Sequence, residues 1–222
     1  MDPSYLAPDF ASVALVTIDT QRDTLDGQPF EIPGTSAALP EMRRLAEAFR
    51  ATGRPIVHVV RLYRPDGSNV DLCRRRAVAD GARLVLAGSP GAELASGLLP
   101  AGAPGLDTPL LLAGGIQHVG PGEAVIYKPR WGAFYQTPLE AHLRALGVST
   151  LVFAGCNFPN CPRASIYEAS ERDFRLALAE DATSGLYERG KDELENIGVV
   201  LMGTAELVAA LGAAPAAAVS SL

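Results

Sequence analysis

Six short apolar runs divide the chain, and each has the length and composition of a buried β-strand. They lie at residues 12–18, 55–60, 123–127, 148–154, 174–179 and 199–202. Apolar residues follow one another in these runs instead of alternating with polar ones, which is typical of strands inside a parallel sheet. The pattern therefore predicts parallel strands whose two faces are both covered.

Segments with helical character lie between and after these runs. We expect helices at residues 40–52, 138–146, 163–172, 193–197 and 204–211. The alternation of strand and helix predicts an α/β protein with right-handed crossovers. The length of 222 residues fits a single domain, residues 1–222, and the alanine-rich end at residues 213–222 is expected to fray.

Residues 61–122 are the least regular part of the chain and contain many of its prolines and glycines. Long loops in compact domains often carry function, so we expect this segment to build one wall of a pocket. It includes a short basic cluster, Arg74, Arg75 and Arg76. Such a cluster favours a solvated surface, and contact with an anionic substrate group is the alternative.

Charge and composition argue against several classes of function. The net charge of −6 argues against a nucleic-acid partner, and no apolar run is long enough to cross a membrane. There is no glycine-rich phosphate loop, and the three histidines lack partners at ligand spacing, so we expect no nucleotide, other cofactor or metal. Three cysteines without an export signal favour reduced thiols in the cytoplasm.

Residues 151–165 have the features of a nucleophile elbow. An apolar strand ends at Gly155, a tight turn follows, and Cys161 precedes Pro162, a residue favoured at the start of a helix. We expect Cys161 at the helix N-cap, where the partial positive charge lowers a thiol pKa and free N–H groups can hold an oxyanion. The alternative is that Cys161 is simply a small buried residue.

Two charged residues also follow apolar runs directly. Asp19 follows the first run and Lys128 follows the third. The carboxyl ends of parallel strands share one edge of the sheet, so Asp19, Lys128 and Cys161 should meet there. Asp19 can then take the thiol proton while Lys128 stabilises the thiolate, which suits nucleophilic catalysis. Taken singly, Asp19 fits a turn and Lys128 fits an exposed surface.

Five segments in order resemble the isochorismatase-like cysteine hydrolases, a family that includes nicotinamidases, N-carbamoylsarcosine amidohydrolase and streptothricin hydrolase. They are Asp19-Thr20-Gln21-Arg22-Asp23, Gly88-Ser89-Pro90-Gly91-Ala92-Glu93, Lys128 with Ala133-Phe134 and Thr137-x-Leu139, Gly155 with Cys161, and Asp181-Ala182. The resemblance covers nearly the whole chain. It implies a three-layer Rossmann-like sandwich with a six-stranded, mainly parallel sheet flanked by helices, assembled as a homo-oligomer, a dimer or tetramer.

The resemblance also implies a site and a reaction. Asp19, Lys128 and Cys161 would be the catalytic triad, and backbone N–H groups of Asn157 and Cys161 would hold the oxyanion. The implied reaction cleaves an amide, ureido or lactam C–N bond of a small molecule through a thioacyl-enzyme intermediate. Pocket candidates are Gln21, Trp131, Phe134, Tyr135 and Phe158, with the core as the alternative place for Phe134 and Phe158.

The chain departs from the family pattern at two places. Phe158 stands where the family usually has threonine, and Pro162 replaces a small apolar residue. The family's elbow often holds a non-proline cis peptide, which we expect near Cys156–Asn157. Nicotinamidases carry an Asp-x-His metal motif after the second strand, and the corresponding region here ends on Arg61, so nicotinamide is a poor substrate candidate.

Three other functions are alternatives to C–N hydrolysis. A redox or metal module would use Cys156 and Cys161, but their Cys-x4-Cys spacing differs from the Cys-x2-Cys of such motifs. A binding protein on an inactive hydrolase scaffold is the second. The third is vinyl ether hydrolysis of the isochorismatase type, which does not require the cysteine, so Cys161 favours C–N cleavage.

Overall fold

The computed structural model describes residues 3–214 and shows a sheet of seven strands with helices on both faces. The strands are β1 (Val13–Ile18), β2 (Ile56–Val60), β3 (Ile116–Gly120), β4 (Glu123–Tyr127), β5 (Thr150–Gly155), β6 (Arg175–Thr183) and β7 (Val200–Met202). Their order is β3-β4-β2-β1-β5-β6-β7, and only the β3–β4 pair is antiparallel. The expected three-layer, mainly parallel α/β architecture is confirmed.

The prediction of six strands is one too few. The strand that sequence patterns missed is β3, at one edge of the sheet. Its residues alternate in burial: Gln117 and Val119 are buried, while His118 between them is exposed. An edge strand with one exposed face has no need of the continuous apolar run that marks central strands, so the pattern gave no signal for it.

The described residues also form eight α-helices. They are α1 (Pro3–Leu6), α2 (Thr35–Ala51), α3 (Arg75–Ala79), α4 (Thr108–Leu112), α5 (Leu139–Ala145), α6 (Cys161–Ser170), α7 (Glu188–Glu195) and α8 (Thr204–Ala213). The five predicted helices are present with shifted ends, and α1, α3 and α4 are too short to show a helical period. Of the predicted frayed end, residues 215–222 lie outside the described residues. None of the described helices is long and apolar enough to cross a bilayer.

Alternate residues of the central strands supply two separate cores. In β1, Val13 and Leu15 belong to a core that includes apolar residues of α2 and α8. Val16 and Ile18 point the other way, into a core that includes residues of α5, α6 and α7. Both faces of the strand are therefore buried, which explains its continuous apolar sequence. One sheet shared by two cores supports the proposal of a single domain.

The carboxyl ends of four neighbouring strands meet at one edge of the sheet. In the order β4-β2-β1-β5, these ends lead to Lys128, Arg61, Asp19 and the turn that begins at Cys156. The helix after β1, α2, lies on one face, and the helix after β5, α6, lies on the other. The chain thus leaves these two adjacent strands in opposite directions, which opens a crevice where α/β proteins bind ligands.

Candidate active site

Asp19 and Lys128 form a buried ion pair at this edge of the sheet. The Lys128 Nζ lies 2.8 Å from Asp19 Oδ2 and also donates to the carbonyl of Arg130 at 3.2 Å. Lys128 is fully buried, and Asp19 is 7% exposed. The second carboxylate oxygen, Asp19 Oδ1, is buried and has no hydrogen-bond partner among the described residues. One oxygen is therefore fixed by the lysine, while the other is available to a reacting group.

The backbone of Asp19 is held in an unusual conformation. Its φ is 50°, a left-handed value that costs a non-glycine residue energy and persists only where the surroundings enforce it. Four hydrogen bonds do so here. The Asp19 N–H donates to Val59, and the Asp19 carbonyl accepts from the Gln21 N–H at 2.8 Å and from Thr24 Oγ1 and the Cys156 thiol, both at 3.1 Å. These contacts fix the direction in which the carboxylate leaves the strand.

The turn after β5 brings the nucleophile elbow against β1. Gly155 has a φ of 124°, and a Cβ atom there would lie only 2.2 Å from the Ile18 carbonyl oxygen, so this position requires glycine. The Cys156–Asn157 peptide is cis, as expected from the family resemblance despite the altered turn at Phe158. Cys156 then donates its N–H to Ile18, which joins the elbow to the strand that carries Asp19.

Cys161 was predicted to be the N-cap of this helix; in the structure the N-cap is Asn160, and Cys161 is the first residue of α6. The thiol is buried, in the same cavity lining as Asp19. In residues 3–214, the N–H groups of Asn157 and Cys161 donate no hydrogen bond to another protein group. The predicted nucleophile thus lies next to two available backbone donors at the start of a helix.

The expected low thiol pKa is not what the structure shows. Burial, and to a smaller extent the charge of Asp19, raise the pKa of the Cys161 thiol to about 11, although Lys128 and Arg61 oppose the rise. The sequence argument considered the helix N-terminus and Lys128 but not the removal of the thiol from water. In the free site the sulfur therefore carries its proton, and attack needs a base.

The side chains gathered here line a narrow cavity of about 310 Å³, including its open mouth. The lining residues are Asp19, Gln21, Thr24, Phe30, Ile32, Arg61, Arg74, Val85, Cys156, Asn157, Asn160 and Cys161. Val85 comes from the irregular segment 61–122, as do the two arginines, so that segment does supply part of the wall.

The five predicted pocket residues have different places. Gln21 borders the cavity, but its amide is occupied by hydrogen bonds with the backbone of Arg61 and Ala92. Phe134 and Phe158 are buried core residues outside the cavity lining, packed on Phe174 and Tyr187 respectively, and Tyr135 is exposed. Trp131 lies beside the cavity, under the guanidinium groups of Arg61 and Arg74.

Arg61 is a charged residue of the cavity that sequence patterns did not place there, and Arg74 lines it in agreement with the alternative given for the basic cluster. Arg61 directly follows β2, so the rule that located Asp19 and Lys128 also applies to it. Arg74 stacks over Phe30 and donates to the Tyr63 hydroxyl, while Arg76 is exposed and pairs with Asp80. The basic cluster is therefore divided: one arginine faces the cavity and one is solvated.

The two elbow thiols are not bonded to each other and have different surroundings. Cys156 and Cys161 are both free, and the Cys156 thiol donates to the Asp19 carbonyl. Burial raises the pKa of Cys156 to about 12, so this thiol is inert at neutral pH. No group of three or more His, Cys, Asp or Glu side chains within residues 3–214 could hold a metal ion.

Comparisons with known proteins agree with this geometry. A protein of Arabidopsis thaliana named "Probable inactive nicotinamidase" is 29% identical over 201 residues, or 87% of this chain and 93% of that protein. The ureidoacrylate amidohydrolase RutB of Methylobacterium radiotolerans is 28% identical over 200 residues, or 82% of this chain and 70% of that protein.

A solved structure and a family model also match this chain. A solved structure of an isochorismatase family protein from Desulfovibrio vulgaris has 32% sequence identity and a TM-score of 0.77, covering 90% of this chain and 98% of its own. The family model described as Isochorismatase domain matches residues 13–206, well over half of the 222 residues. The chain therefore belongs to the isochorismatase domain family.

Proposed function

We propose that this protein is a cysteine hydrolase that cleaves a C–N bond of a small amide, ureido compound or lactam. The observation that carries the proposal is the Asp19 carboxylate, which has one oxygen held by Lys128 at 2.8 Å and the other unpartnered in the cavity that Cys161 also lines. A nucleophile beside a base that a third group orients is the usual arrangement for covalent catalysis. The relative from Methylobacterium radiotolerans, by its name an amidohydrolase, supports the same bond type.

Asp19 is the base that makes attack possible. Because the raised pKa keeps the Cys161 sulfur protonated, the proton moves to Asp19 Oδ1 as the sulfur attacks the substrate carbonyl carbon. The C=O π bond opens and its electron pair becomes the oxyanion. Proton transfer during attack removes the need for a standing thiolate.

The backbone donors of the elbow stabilise the tetrahedral intermediate. Within residues 3–214 the N–H groups of Asn157 and Cys161 have no protein acceptor, and the α6 N-terminus adds its partial positive charge. A donor of this kind contributes about 3–4 kcal/mol to the transition state. When the intermediate collapses, the C–N bond breaks and Asp19 returns the proton to the leaving nitrogen, which departs as a neutral amine or ammonia.

Hydrolysis of the thioacyl enzyme repeats the sequence with water. Asp19, ionised again, takes a proton from a water molecule whose oxygen attacks the thioester carbon. The C–S bond then breaks, and the sulfur recovers its proton from Asp19. Lys128 stays paired with Asp19 Oδ2 throughout, and so acts as a positioning residue that keeps Oδ1 directed at the reacting atoms.

A second candidate is a binding protein that uses the same cavity without catalysis. It is favoured by the name of the Arabidopsis thaliana relative, which describes that protein as inactive. The ion pair and the elbow argue for activity, because a binder has no need of a buried lysine that orients a carboxylate toward a thiol. Turnover decides between the two.

An ammonia-release screen against small amides, ureido compounds and lactams tests the proposal. On any substrate found, Cys161→Ala should lower kcat by at least about 1,000-fold and Asp19→Asn by at least about 100-fold. Cys73→Ala, which removes an exposed thiol, is the matched control and should retain full activity. Mass spectrometry of the quenched reaction should find an acyl group on the peptide that contains Cys161.

Two outcomes would contradict the proposal. If no compound of these classes is hydrolysed while several bind, the binding function replaces it. If Cys161→Ala turns over at close to the parent rate while Asp19→Asn does not, covalent catalysis is wrong, and acid-catalysed hydrolysis of the vinyl ether type takes its place.

A further inference from the structure

Arg61 is a buried cation, and three of its five N–H donors have no partner among the described residues. It is 2% exposed and lines the cavity together with Asp19 and Cys161. Its Nη1 donates to the Pro129 carbonyl at 2.7 Å and lies 3.0 Å from Asp71 Oδ2. Its Nε and Nη2 are buried and have no hydrogen-bond partner within residues 3–214. Buried donors of this kind are rare and call for a partner.

The two unpartnered nitrogens form one edge of the guanidinium group. Nε and Nη2 carry parallel N–H bonds, and this fork matches the two oxygens of a carboxylate. We propose that Arg61 binds the carboxylate of an anionic substrate through this edge, so that the substrate is a short amide or ureido acid. The inference rests on the proposed C–N hydrolase and specifies the substrate class of the same site.

The guanidinium group is already held in place before a ligand arrives. Nη1 is anchored by Asp71 and Pro129, and the Trp131 ring lies 5.8 Å from the guanidinium carbon. Asp71 is itself fixed by the Tyr63 hydroxyl, which donates to it at 2.6 Å. A fork whose far side is fixed loses little freedom on binding, which favours tight and oriented recognition.

The charges around the cavity leave room for one anion. Lys128 pairs with Asp19, whereas Arg61 and Arg74 share the carboxylate of Asp71. Arg130 also lies 3.9 Å from that carboxylate, so with the thiol protonated the positive charges of this set outnumber the negative ones. Another buried carboxylate, Asp23, accepts the Val85 N–H and is not among the residues that line the cavity. A substrate carboxylate would balance the excess at the two unpartnered nitrogens.

The sharpest test compares two substrates that differ only in charge. Succinamate carries a carboxylate and a primary amide, and methyl succinamate carries the same amide with that carboxylate masked as an ester. On the unaltered protein we expect kcat/KM for ammonia release to be at least about 100-fold higher for succinamate, because the neutral ester leaves the buried fork unpaired. This comparison needs no variant and hence no assumption about folding.

Variants then assign the preference to Arg61. Arg61→Lys keeps the positive charge but removes the two parallel N–H donors, and Arg61→Met removes the charge and the donors at similar volume. Each variant should lower kcat/KM for succinamate at least 10-fold. The kcat/KM for methyl succinamate should change much less. Arg76→Gln removes an exposed arginine of the same loop segment and should change neither value. Titration of Cys161→Ala with succinamate by calorimetry measures binding without turnover.

The failures of the two proposals are distinguishable. Equal turnover of both amides, with Cys161→Ala inactive, would overturn the carboxylate assignment and leave the hydrolase intact. Binding of succinamate by Cys161→Ala that is unchanged on adding Arg61→Met would also overturn it. Absence of turnover for every amide, with fork-dependent binding of succinamate, would instead refute the hydrolase and keep Arg61 as the anion site of a binding protein.

Discussion

Asp19 and Lys128 are two charged residues that the fold removes from water almost completely. Such burial carries a desolvation penalty that the mutual attraction of the pair roughly offsets, so the pair adds little net stability. Its value is geometric. The lysine takes one carboxylate oxygen at 2.8 Å and leaves the other toward Cys161, which a neutral pair of the same volume could not do.

This balance predicts the effect of breaking the pair. Lys128→Met leaves the Asp19 carboxylate buried without its cation, and we expect the free energy of unfolding to fall by about 3–5 kcal/mol. Adding Asp19→Asn to the Lys128→Met protein removes the carboxylate charge that the first substitution leaves unpaired. The double variant should therefore be more stable than Lys128→Met alone, as measured by urea unfolding at pH 7.

The interaction energy of that double-variant cycle is the quantity to compare. If the two single changes add within about 0.5 kcal/mol, the residues are not coupled in the native state and the orienting role of Lys128 is wrong. Arg76→Met offers a control, because it removes an exposed cation paired with Asp80 at the surface, where the loss should be small.

The raised thiol pKa of Cys161 gives a second prediction at the residue scale. Because burial raises it to about 11, the alkylation rate by iodoacetamide should increase about tenfold per pH unit from pH 7 to pH 10. Cys73 is exposed and should react first, so the experiment uses the Cys73→Ser protein with labelled peptides identified by mass spectrometry. A rate that levels off below pH 8 would show a standing thiolate instead.

The same residues show how far sequence reasoning reaches at this scale. Asp19 and Lys128 were located because each follows an apolar strand, and Cys161 because it precedes a helix-starting proline. Arg61 satisfies the first rule equally well, because it directly follows the second strand. The thiol pKa could not be predicted, because it depends on burial, which neighbours in space decide.

Strands β2 and β4 are joined by a buried network that also reaches α2. His58 on β2 is fully buried: its Nε2 donates to Glu123 on β4 at 2.7 Å, and its Nδ1 accepts from Thr17 on β1 at 2.7 Å. Arg50 of α2 donates to both oxygens of the same carboxylate. The network fixes the end of α2 against the sheet below the strands that carry the site.

These groups predict that the fold is sensitive to acid. Burial lowers the pKa of His58 below 6.5, although its hydrogen bond to Glu123 opposes the shift. Burial alone would raise the pKa of Glu123, but hydrogen bonds from Arg50 and His58 lower it below 4.5. In both cases the unfolded chain binds more protons than the native one, so stability is fully present above these values and is lost as the pH falls.

Thermal unfolding across pH measures this loss. The Tm should decline as the pH falls below 6.5 and decline further below 4.5. His58→Gln keeps a donor for Glu123 but cannot titrate, so its Tm should depend less on pH between 7 and 5. Equal slopes for the parent protein and His58→Gln would refute the assignment.

Element boundaries show what local pattern leaves undetermined. The central strands were predicted because both of their faces are buried and their sequences are continuously apolar. Strand β3 was not predicted, because one of its faces is exposed. Helix α2 begins at Thr35, and the proline at position 40, expected to start it, lies inside it. Proline removes one helical hydrogen bond, and at this exposed position water can satisfy the freed carbonyl. Packing of the apolar face then outweighs the local preference.

At the scale of the whole molecule, the site is assembled from parts that are far apart in sequence. The four strand ends were foreseeable, because parallel strands bring their carboxyl ends to one edge. The walls of the cavity could not be predicted from sequence. They include Phe30, Ile32 and Val85, which lie in loops, and loops have no hydrophobic periodicity from which to predict their path. The aromatic residues expected there, Phe134 and Phe158, are instead core residues, since an apolar residue near a motif packs inward as readily as toward a ligand.

The charges that the fold collects also predict the response to metal removal. Lys128, Arg61 and Arg74 surround the cavity with two carboxylates between them, and such a set repels a divalent cation. We expect dialysis against EDTA to change kcat/KM by less than about twofold, with no gain on adding zinc. Loss of activity in EDTA that zinc restores would show a metal that this arrangement does not explain.

The last prediction concerns assembly, which the family resemblance implies to be at least dimeric. Leu72 is 79% exposed and lies in the same short 3-10 helix as Arg74, whose side chain lines the cavity. A partner that covers this helix would bury an exposed apolar side chain and hold a cavity wall in place. Light scattering at micromolar concentration should therefore give at least twice the chain mass of 23.3 kDa.

Substitution of Leu72 tests whether this helix lies in the interface. Leu72→Asp should shift the mass toward that of one chain, whereas Tyr5→Asp, at a residue exposed to a similar degree, should not. A mass of one chain for the unaltered protein at every concentration would refute the prediction, and an unchanged oligomer in Leu72→Asp would place the interface elsewhere.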